Sequence, residues 1–530
     1  MTFISSSHAH APVRLAAEPR ALSALARADM RMVPAALGVT FAILYLCTAK
    51  GLTGHDDLHY ANLATSLSEF RLPLVDYQGP PVFPVRIGLL APVALLLGIF
   101  GPSEWTLMAY PLLATVAGIV IAWLLLNELF GPRVATLGTL LFGVVPLHLR
   151  YATMLLPDLP AGAWAHLGLL LMLRCQRDGR TRYPIATGIT AGLALGLSWL
   201  HKSTVSFLGP LVLVYLIWCC LRRPASRRAA VALVAAGFSV VAIEAVCYGW
   251  VTGDALYRFH ATARNFEYNA ELFWFVEGGR DGWPAGQYAT ALGQRLLQTG
   301  PRILLASNIT VKLALLAIAW AAWRRDRRVA FCAAWLLLMG LLLNVAPTGW
   351  DPYRPLVLKK RYLLPLFLPA CGLTAYLMMG LARDLRGSSR RCAQLLAVAI
   401  GVLIVVSTGP GWINQSRHDP LNQMYHDVLA RIDSSASPPV LLTDGNTAGC
   451  LALLGPTRGG VVQIFDPRHA APRQGWVLIV PHRLSKLRND YHEPLPAFLD
   501  TWPTSLPADW QRIASWPAGQ LFATGARSDP

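Results

Sequence analysis

The run Val33-Pro-Ala-Ala-Leu-Gly-Val-Thr-Phe-Ala-Ile-Leu-Tyr-Leu-Cys-Thr-Ala49 leads directly into Lys50-Gly-Leu-Thr-Gly-His-Asp-Asp-Leu-His-Tyr60. The first stretch is apolar over most of the length needed to cross a bilayer. The second puts two adjacent carboxylates, Asp56 and Asp57, where a charged pair has no packing reason to be. Ahead of them, residues 1–32 are polar and carry Arg14, Arg20, Arg27 and Arg31, and no small-residue cleavage site follows the apolar run. This reads as a retained signal anchor with a cytoplasmic N-terminal segment.

Working outward, apolar runs recur near 86–100, 105–127, 133–152, 158–174, 184–200, 204–221 and 228–250, and again near 302–323, 329–346, 361–382 and 392–409. With 54% apolar and 14% charged residues in a chain of 530, the class is an all-α polytopic membrane protein. The formal charge of +17 is gathered in short arginine clusters between apolar runs, the pattern of cytoplasmic loops, which excludes a nucleic-acid partner. The nine cysteines lie singly apart from Cys219 and Cys220, with no Cys-x-x-Cys spacing, so neither a disulfide framework nor a thiolate zinc site is indicated.

Placing the clusters at Arg174–Arg182, Arg222–Arg228, Arg324–Arg328 and Arg383–Arg391 on the cytoplasmic side leaves one run that cannot cross. The run 86–100 is the shortest, contains Pro92 and follows Pro80, Pro81 and Pro84; it is expected to lie in the outer interface. Eleven spans remain, in a membrane domain of residues 33–410. Residues 51–104 and 251–301 become outer loops, the second rich in aromatic residues beside Arg258, His260, Arg264 and Glu267, as suits contact with headgroups or a sugar. Residues 411–530 change composition, and Val440–Thr443, Val461–Ile464 and Val477–Val480 predict strands of a small C-terminal α/β extracytoplasmic domain, without a catalytic motif.

The residue types at the outer mouth point to acid–base and anion chemistry. One of Asp56 and Asp57 can act as a general base while its neighbour orients the acceptor or shifts the first group's pKa, with His55, His59 and Tyr60 around them. A solvated helix cap, or a divalent metal site of His55, Asp56, Asp57 and His59, are the other readings of the same residues; no cofactor is required by them. Asp158, between Pro157 and Pro160, stands at the outer edge of its span. Lys202, preceded by His201, breaks an apolar stretch on the outer side, and Lys359, Lys360 and Arg361 precede Tyr362 at the outer start of another. Cations there run against the charge bias and favour a phosphate partner.

The order of Asp56-Asp57-Leu-His-Tyr60-Ala, Pro157-Asp158-Leu-Pro, Gly-Leu-Ser-Trp-Leu-His-Lys202-Ser and Lys360-Arg361-Tyr362-Leu-Leu-Pro365 resembles the GT-C superfamily of polyprenyl-phosphate-sugar glycosyltransferases. Within it the likeness is to the protein mannosyltransferases and the lipid A aminoarabinose transferases, over residues 30–410. The resemblance implies an inner-membrane, multi-pass enzyme with an extracytoplasmic active site. It moves a sugar from a polyprenyl-phosphate donor to a hydroxyl of a glycolipid, glycan or protein with inversion. It implies Asp56 as the group that activates the acceptor, Asp57 as its support, and Lys202 and Arg361 on the donor phosphate, with Asp158 at the family's outer-edge aspartate. Aminoarabinose transferases carry a lysine where this chain has Gln78-Gly79-Pro80-Pro81, and Arg86 is the candidate substitute; Ser203 replaces the family's glycine. A lipid-linked sugar flippase or transporter, or an inactive carbohydrate-binding relative, are the competing classes.

Overall fold

The long apolar runs of the chain form helices, and the structure, a computed structural model, is built mostly of them. It describes residues 20–524 apart from 73, 75–76, 78, 177–181, 269–282, 303–307, 351–352, 357–359, 385–388, 417–418, 436–439, 456–461, 466–474, 490–498 and 500–509. The membrane part comprises α1 (Arg20–Cys47), α2 (Asp56–Ser68), α3 (Ile87–Phe100), α4 (Glu104–Phe130), α5 (Pro132–Gly143), α6 (Pro146–Tyr151), α7 (Asp158–Cys175) and α8 (Pro184–His201). It continues with α9 (Gly209–Arg222), α10 (Arg227–Thr252), α11 (Tyr257–Tyr268), α12 (Tyr288–Gln294), α13 (Ile309–Trp323), α14 (Ala330–Val345), α15 (Leu364–Asp384) and α16 (Ser389–Ser416). Among the described residues, five helices are long and apolar enough to cross a membrane: Glu104–Phe130, Ser203–Arg222, Pro224–Thr252, Arg327–Val345 and Arg361–Arg383. Shorter apolar helices accompany them, including Met32–Cys47 and Ile309–Trp323.

One expectation changes here. The run 133–152 is not one continuous helix, because Pro146 opens α6 after a break at Val144 and Val145. Proline lacks the N–H that would continue α5 and clashes with the preceding turn, so the helix breaks at Pro146 although the hydropathy of the run continues through it.

Close helix contacts order the bundle. Gly188, Gly192 and Gly196 of α8 face α10, and a Cβ at Gly192 would lie 2.1 Å from the Leu233 carbonyl oxygen. Only glycine lets the two backbones approach this far, as in other membrane bundles. A large apolar core follows, with Phe41, Tyr45, Leu125, Leu169, Trp335 and Phe367 buried in it.

A second core is built differently. It joins α2 and α3 to the C-terminal part, through Leu58, Tyr60, Leu89, Leu90, Met424 and Tyr425. That part contains α17 (Pro420–Ser434), β3 (Leu441–Thr443), α18 (Gly445–Leu454), β4 (Val462–Ile464), β5 (Gly475–Ile479), α19 (Pro481–Asn489), β6 (Gln511–Ser515) and β7 (Gln520–Thr524), after a small ladder of β1 (Pro347–Trp350) and β2 (Tyr353–Pro355). Its strands form one mixed sheet in the order β4-β3-β5-β7-β6. β3 runs parallel to β4 and β5, while β7 is antiparallel to β5 and β6. Asp444 caps α18, accepting from the Thr447 N–H at 3.0 Å, which is what turns the chain from strand into helix.

Candidate functional site

The acidic pair divides its work as soon as it folds. Asp57 is 1% exposed and bends back over the preceding loop. It accepts hydrogen bonds from the Thr53 N–H, the Thr53 hydroxyl at 2.9 Å and the His55 N–H at 2.7 Å. A carboxylate that binds two loop amides fixes the shape of that loop. Asp56 opens α2 with a side chain 34% exposed, and its Oδ2 accepts from Arg361 Nη1 at 2.6 Å.

Around Asp56 the structure brings together cations that lie far apart in the chain. Lys202 terminates α8 in extended backbone, donates to Asp158 Oδ1 at the first residue of α7, and holds its ammonium 4.3 Å from the centre of the Tyr362 ring. Arg361 stands in the 3₁₀ turn that precedes α15. Arg86, at the start of α3, is buried with its guanidinium 5.4 Å from both the Tyr60 and Phe83 rings. Burial first, and then the Arg361 guanidinium, draw the Arg86 pKa down to about 10, with Asp158, Tyr362 and Asp56 opposing; it remains protonated at neutral pH. Three cations therefore face two carboxylates, Asp56 and Asp158, in a largely buried cluster.

Several polar atoms of this cluster have no hydrogen-bond partner among the described residues: Asp158 Oδ2, Arg361 Nε and the Tyr60 hydroxyl. Buried polar groups are almost always satisfied; here the Arg361 Nε and the Tyr60 hydroxyl can still donate, beside a surplus of positive charge, while Asp158 Oδ2 is an unmet acceptor. Arg86, the expected substitute for the lysine absent from Gln78-Gly79-Pro80-Pro81, lies within the electrostatic reach of Arg361, Asp158 and Asp56. Gln78 itself, like Lys359, lies outside the described residues, as does the side chain of Lys360.

Other expected residues do not join. His201 is locked by the Leu197 carbonyl at Nδ1 (2.7 Å) and by the Tyr110 hydroxyl at Nε2 (2.6 Å), so neither ring nitrogen is left for a ligand. His59 pairs with the Tyr77 hydroxyl at 2.9 Å and packs against Phe83, and burial holds its pKa below the ordinary histidine value. With Asp57 turned into the loop and His59 toward Tyr77, the set His55, Asp56, Asp57 and His59 does not converge. Among the described residues no three His, Cys, Asp or Glu side chains gather to hold a metal ion. Arg258, expected at a lipid or sugar surface, is buried: its Nε donates to both oxygens of Glu244 at 2.9 and 3.0 Å.

Two residues with a bearing on the site were passed over in the sequence. Glu244 is a lone acid inside an apolar run, and that was its signal. Arg483 lies in the C-terminal part yet donates to the Thr53 carbonyl at 2.9 Å; nothing in its local sequence announces a contact with residues so far back in the chain.

Residues 86–247 match the family described as dolichyl-phosphate-mannose-protein mannosyltransferase. Arg86, Asp158 and Lys202 fall within that stretch and Asp56 and Arg361 outside it. An undecaprenyl phosphate-alpha-4-amino-4-deoxy-L-arabinose arabinosyl transferase of Pseudomonas aeruginosa UCBPP-PA14 is 24% identical over 355 residues, 64% of this chain and 58% of that protein. The chain thus spans rather more than half the length of the curated relatives it matches. Among solved structures, apo ArnT from Cupriavidus metallidurans superposes with a TM-score of 0.50 at 14% identity, over 94% of this chain and 98% of that one. The apo Archaeoglobus fulgidus oligosaccharyltransferase gives 0.52 at 14% identity over 82% and 64%. In its residues 86–247 and in its fold, the chain is similar to the polyprenyl-phosphate-sugar glycosyltransferases of the GT-C superfamily.

Proposed function

We propose that the chain is an inverting membrane glycosyltransferase that moves a sugar from a polyprenyl-phosphate donor to a hydroxyl of a glycolipid, glycan or protein. The observation that carries this reading is the buried cluster of Arg86, Lys202 and Arg361 with its unmet polar atoms, set against an acidic residue at its edge. The donor's phosphate supplies acceptors to the Arg361 Nε and the Tyr60 hydroxyl, which have none among the described residues. Arg361, paired with Asp56 in the structure, turns its charge toward that phosphate and leaves Asp56 to take a proton. The Asp56 carboxylate removes the acceptor O–H proton as the oxygen bonds to the anomeric carbon. The carbon–oxygen bond to phosphate breaks with its electron pair retained on the polyprenyl phosphate, whose charge the three cations stabilise. One displacement inverts the anomeric centre, and the leaving group needs no proton.

The same reading takes eleven spans, with the shorter apolar helices crossing beside the five long ones. It puts the cluster, the α2–α3 layer and a C-terminal α/β domain from residue 411 on the extracytoplasmic side of an inner membrane. Support comes from α3, whose buried face packs with α2 and the C-terminal part while Leu95, Ile99 and Phe100 are exposed, as an interfacial helix requires. Sugar transfer from undecaprenyl-phosphate-linked aminoarabinose or mannose, measured in proteoliposomes, tests the whole. Asp56→Asn is expected to slow it about 10²- to 10⁴-fold without lowering the melting temperature. Full activity in that variant removes Asp56 as base, and an inert wild-type chain across both donors removes the transferase reading.

A further inference from the structure

The loop that delivers Asp56 is held from outside the membrane part. Arg483, at the start of α19 and 4% exposed, donates through Nη2 to the Thr53 carbonyl (2.9 Å), to the Gly54 carbonyl (3.3 Å) and to the Tyr425 hydroxyl (2.6 Å). Its Nη1 meets Asp444 Oδ1 at 3.2 Å and Thr447 Oγ1 at 3.0 Å, which anchors the guanidinium to the sheet–helix junction after β3. Asp57 binds the amide side of the same loop, so the Thr53 and His55 N–H groups are fixed by one charge and the Thr53 and Gly54 carbonyls by another. Gly54 adopts φ +74° in this grip, and a Cβ there would lie 2.2 Å from Arg483 Nη2 and 2.7 Å from Cys450 Sγ. Next to it, Leu52 donates its N–H to Glu104 Oε1 at 3.0 Å, and Asn422 of α17 donates to that oxygen at 2.6 Å and to the Leu52 carbonyl at 3.3 Å.

Arg483 joins Tyr425, Asp444 and Thr447 of its own part of the chain to backbone carbonyls of a distant loop. Its geometry acts on whatever the loop carries. We propose that Arg483 is a positioning residue for the transfer reaction: the C-terminal domain sets the place of the Asp56 carboxylate by clamping the carbonyls of Thr53 and Gly54. The proposal rests on the transferase reading for its kinetic consequence, but the clamp itself is a property of the loop.

The experiment uses the full chain in nanodiscs. Arg483→Met is expected to lower kcat for sugar transfer about 10²-fold, the scale of a misplacement near 1 Å. Its affinity for undecaprenyl phosphate, a probe of the cationic cluster alone, stays within about twofold, because the clamp does not touch Arg86, Lys202 or Arg361. Arg483→Lys restores part of kcat. Amide exchange at Thr53 and His55 rises in Arg483→Met whether or not a transfer assay succeeds. Gly54→Ala perturbs the clamp from the loop side, and combined with Arg483→Met it adds little further loss. Unchanged kcat together with unchanged exchange, or a fall in undecaprenyl phosphate affinity as large as that in kcat, overturns the proposal. An inactive wild type with faster loop exchange in Arg483→Met counts against the transferase reading and leaves the clamp standing.

Discussion

Two buried ion pairs stand near each other at the ends of α8 and α10 and are built to opposite standards. In the Glu244–Arg258 pair every carboxylate oxygen is used: the Arg258 Nε reaches both, Trp199 donates to one at 2.7 Å and Tyr248 to the other at 3.1 Å. Arg258 also donates to the Val85 carbonyl and lies over the Trp199 ring. In the Asp158–Lys202 pair one carboxylate oxygen has no partner among the described residues, the ammonium rests over an aromatic ring, and Arg361 and Arg86 crowd the same space. The saturated pair is a strut, tying α11 to α8 and α10. On the proposed reading the second cluster is the receptor, because its surplus cations and the Arg361 Nε, which has no partner among the described residues, can donate to an incoming phosphate.

The difference can be broken in order of size. Glu244→Gln leaves Arg258 buried without its counter-charge and is expected to cost about 3–5 kcal/mol of stability, read as a fall in melting temperature, with undecaprenyl phosphate affinity unchanged. Lys202→Met is expected to show the reverse. Removing one charge-assisted bond of about 1.5–3 kcal/mol weakens undecaprenyl phosphate binding about 10- to 100-fold. Stability falls less than in Glu244→Gln, since Arg361 and Arg86 still neutralise Asp158. Equal losses of affinity in the two variants would erase the distinction between strut and receptor.

A smaller effect concerns the attachment of the C-terminal part. His426 Nε2 meets Glu104 Oε2 at 3.0 Å, and that hydrogen bond, ahead of the opposing effect of burial, raises the His426 pKa. A group whose folded pKa is raised lends its stabilisation fully below the unfolded value, about 6.5, and loses it as pH climbs through the folded value. Limited proteolysis of residues 411–530 should therefore speed up as pH rises above about 6.5, and His426→Gln should flatten that dependence. The smallest contrast is between two tyrosines. Tyr60→Phe removes a hydroxyl without a partner and is expected to shift stability by less than about 0.5 kcal/mol, whereas Tyr248→Phe removes one bonded to Glu244 and the Val85 carbonyl and costs about 1 kcal/mol.

Much of the site could be read along the chain, for reasons that differ by residue. Asp56, Asp158, Lys202 and Arg361 were conspicuous because a charge at the end of an apolar run carries a transfer cost that ordinary packing does not repay. His201 and Arg258 were conspicuous for the same reason and turned out to be structural, since a polar group in an apolar setting is explained equally well by an internal partner. Asp57 looked like the twin of Asp56, and only the turn at Thr53–His55 separates a loop brace from an exposed carboxylate. The break at Pro146 lies in a run whose hydropathy continues through it and reads as one span.

What the sequence determined by itself was the helical membrane class, the strands near 441, 462 and 477, and the set of charges near the ends of the spans. These follow from free energies that add up locally, residue by residue, as apolar groups leave water and backbones satisfy themselves within a helix or sheet. Which charges meet was decided only by tertiary structure. Arg361 and Asp56 are 305 positions apart, and Arg483 and Thr53 are 430 apart. Such pairings depend on how closely α8, α10 and the α2–α3 layer can pack, and no local property of either partner encodes that distance.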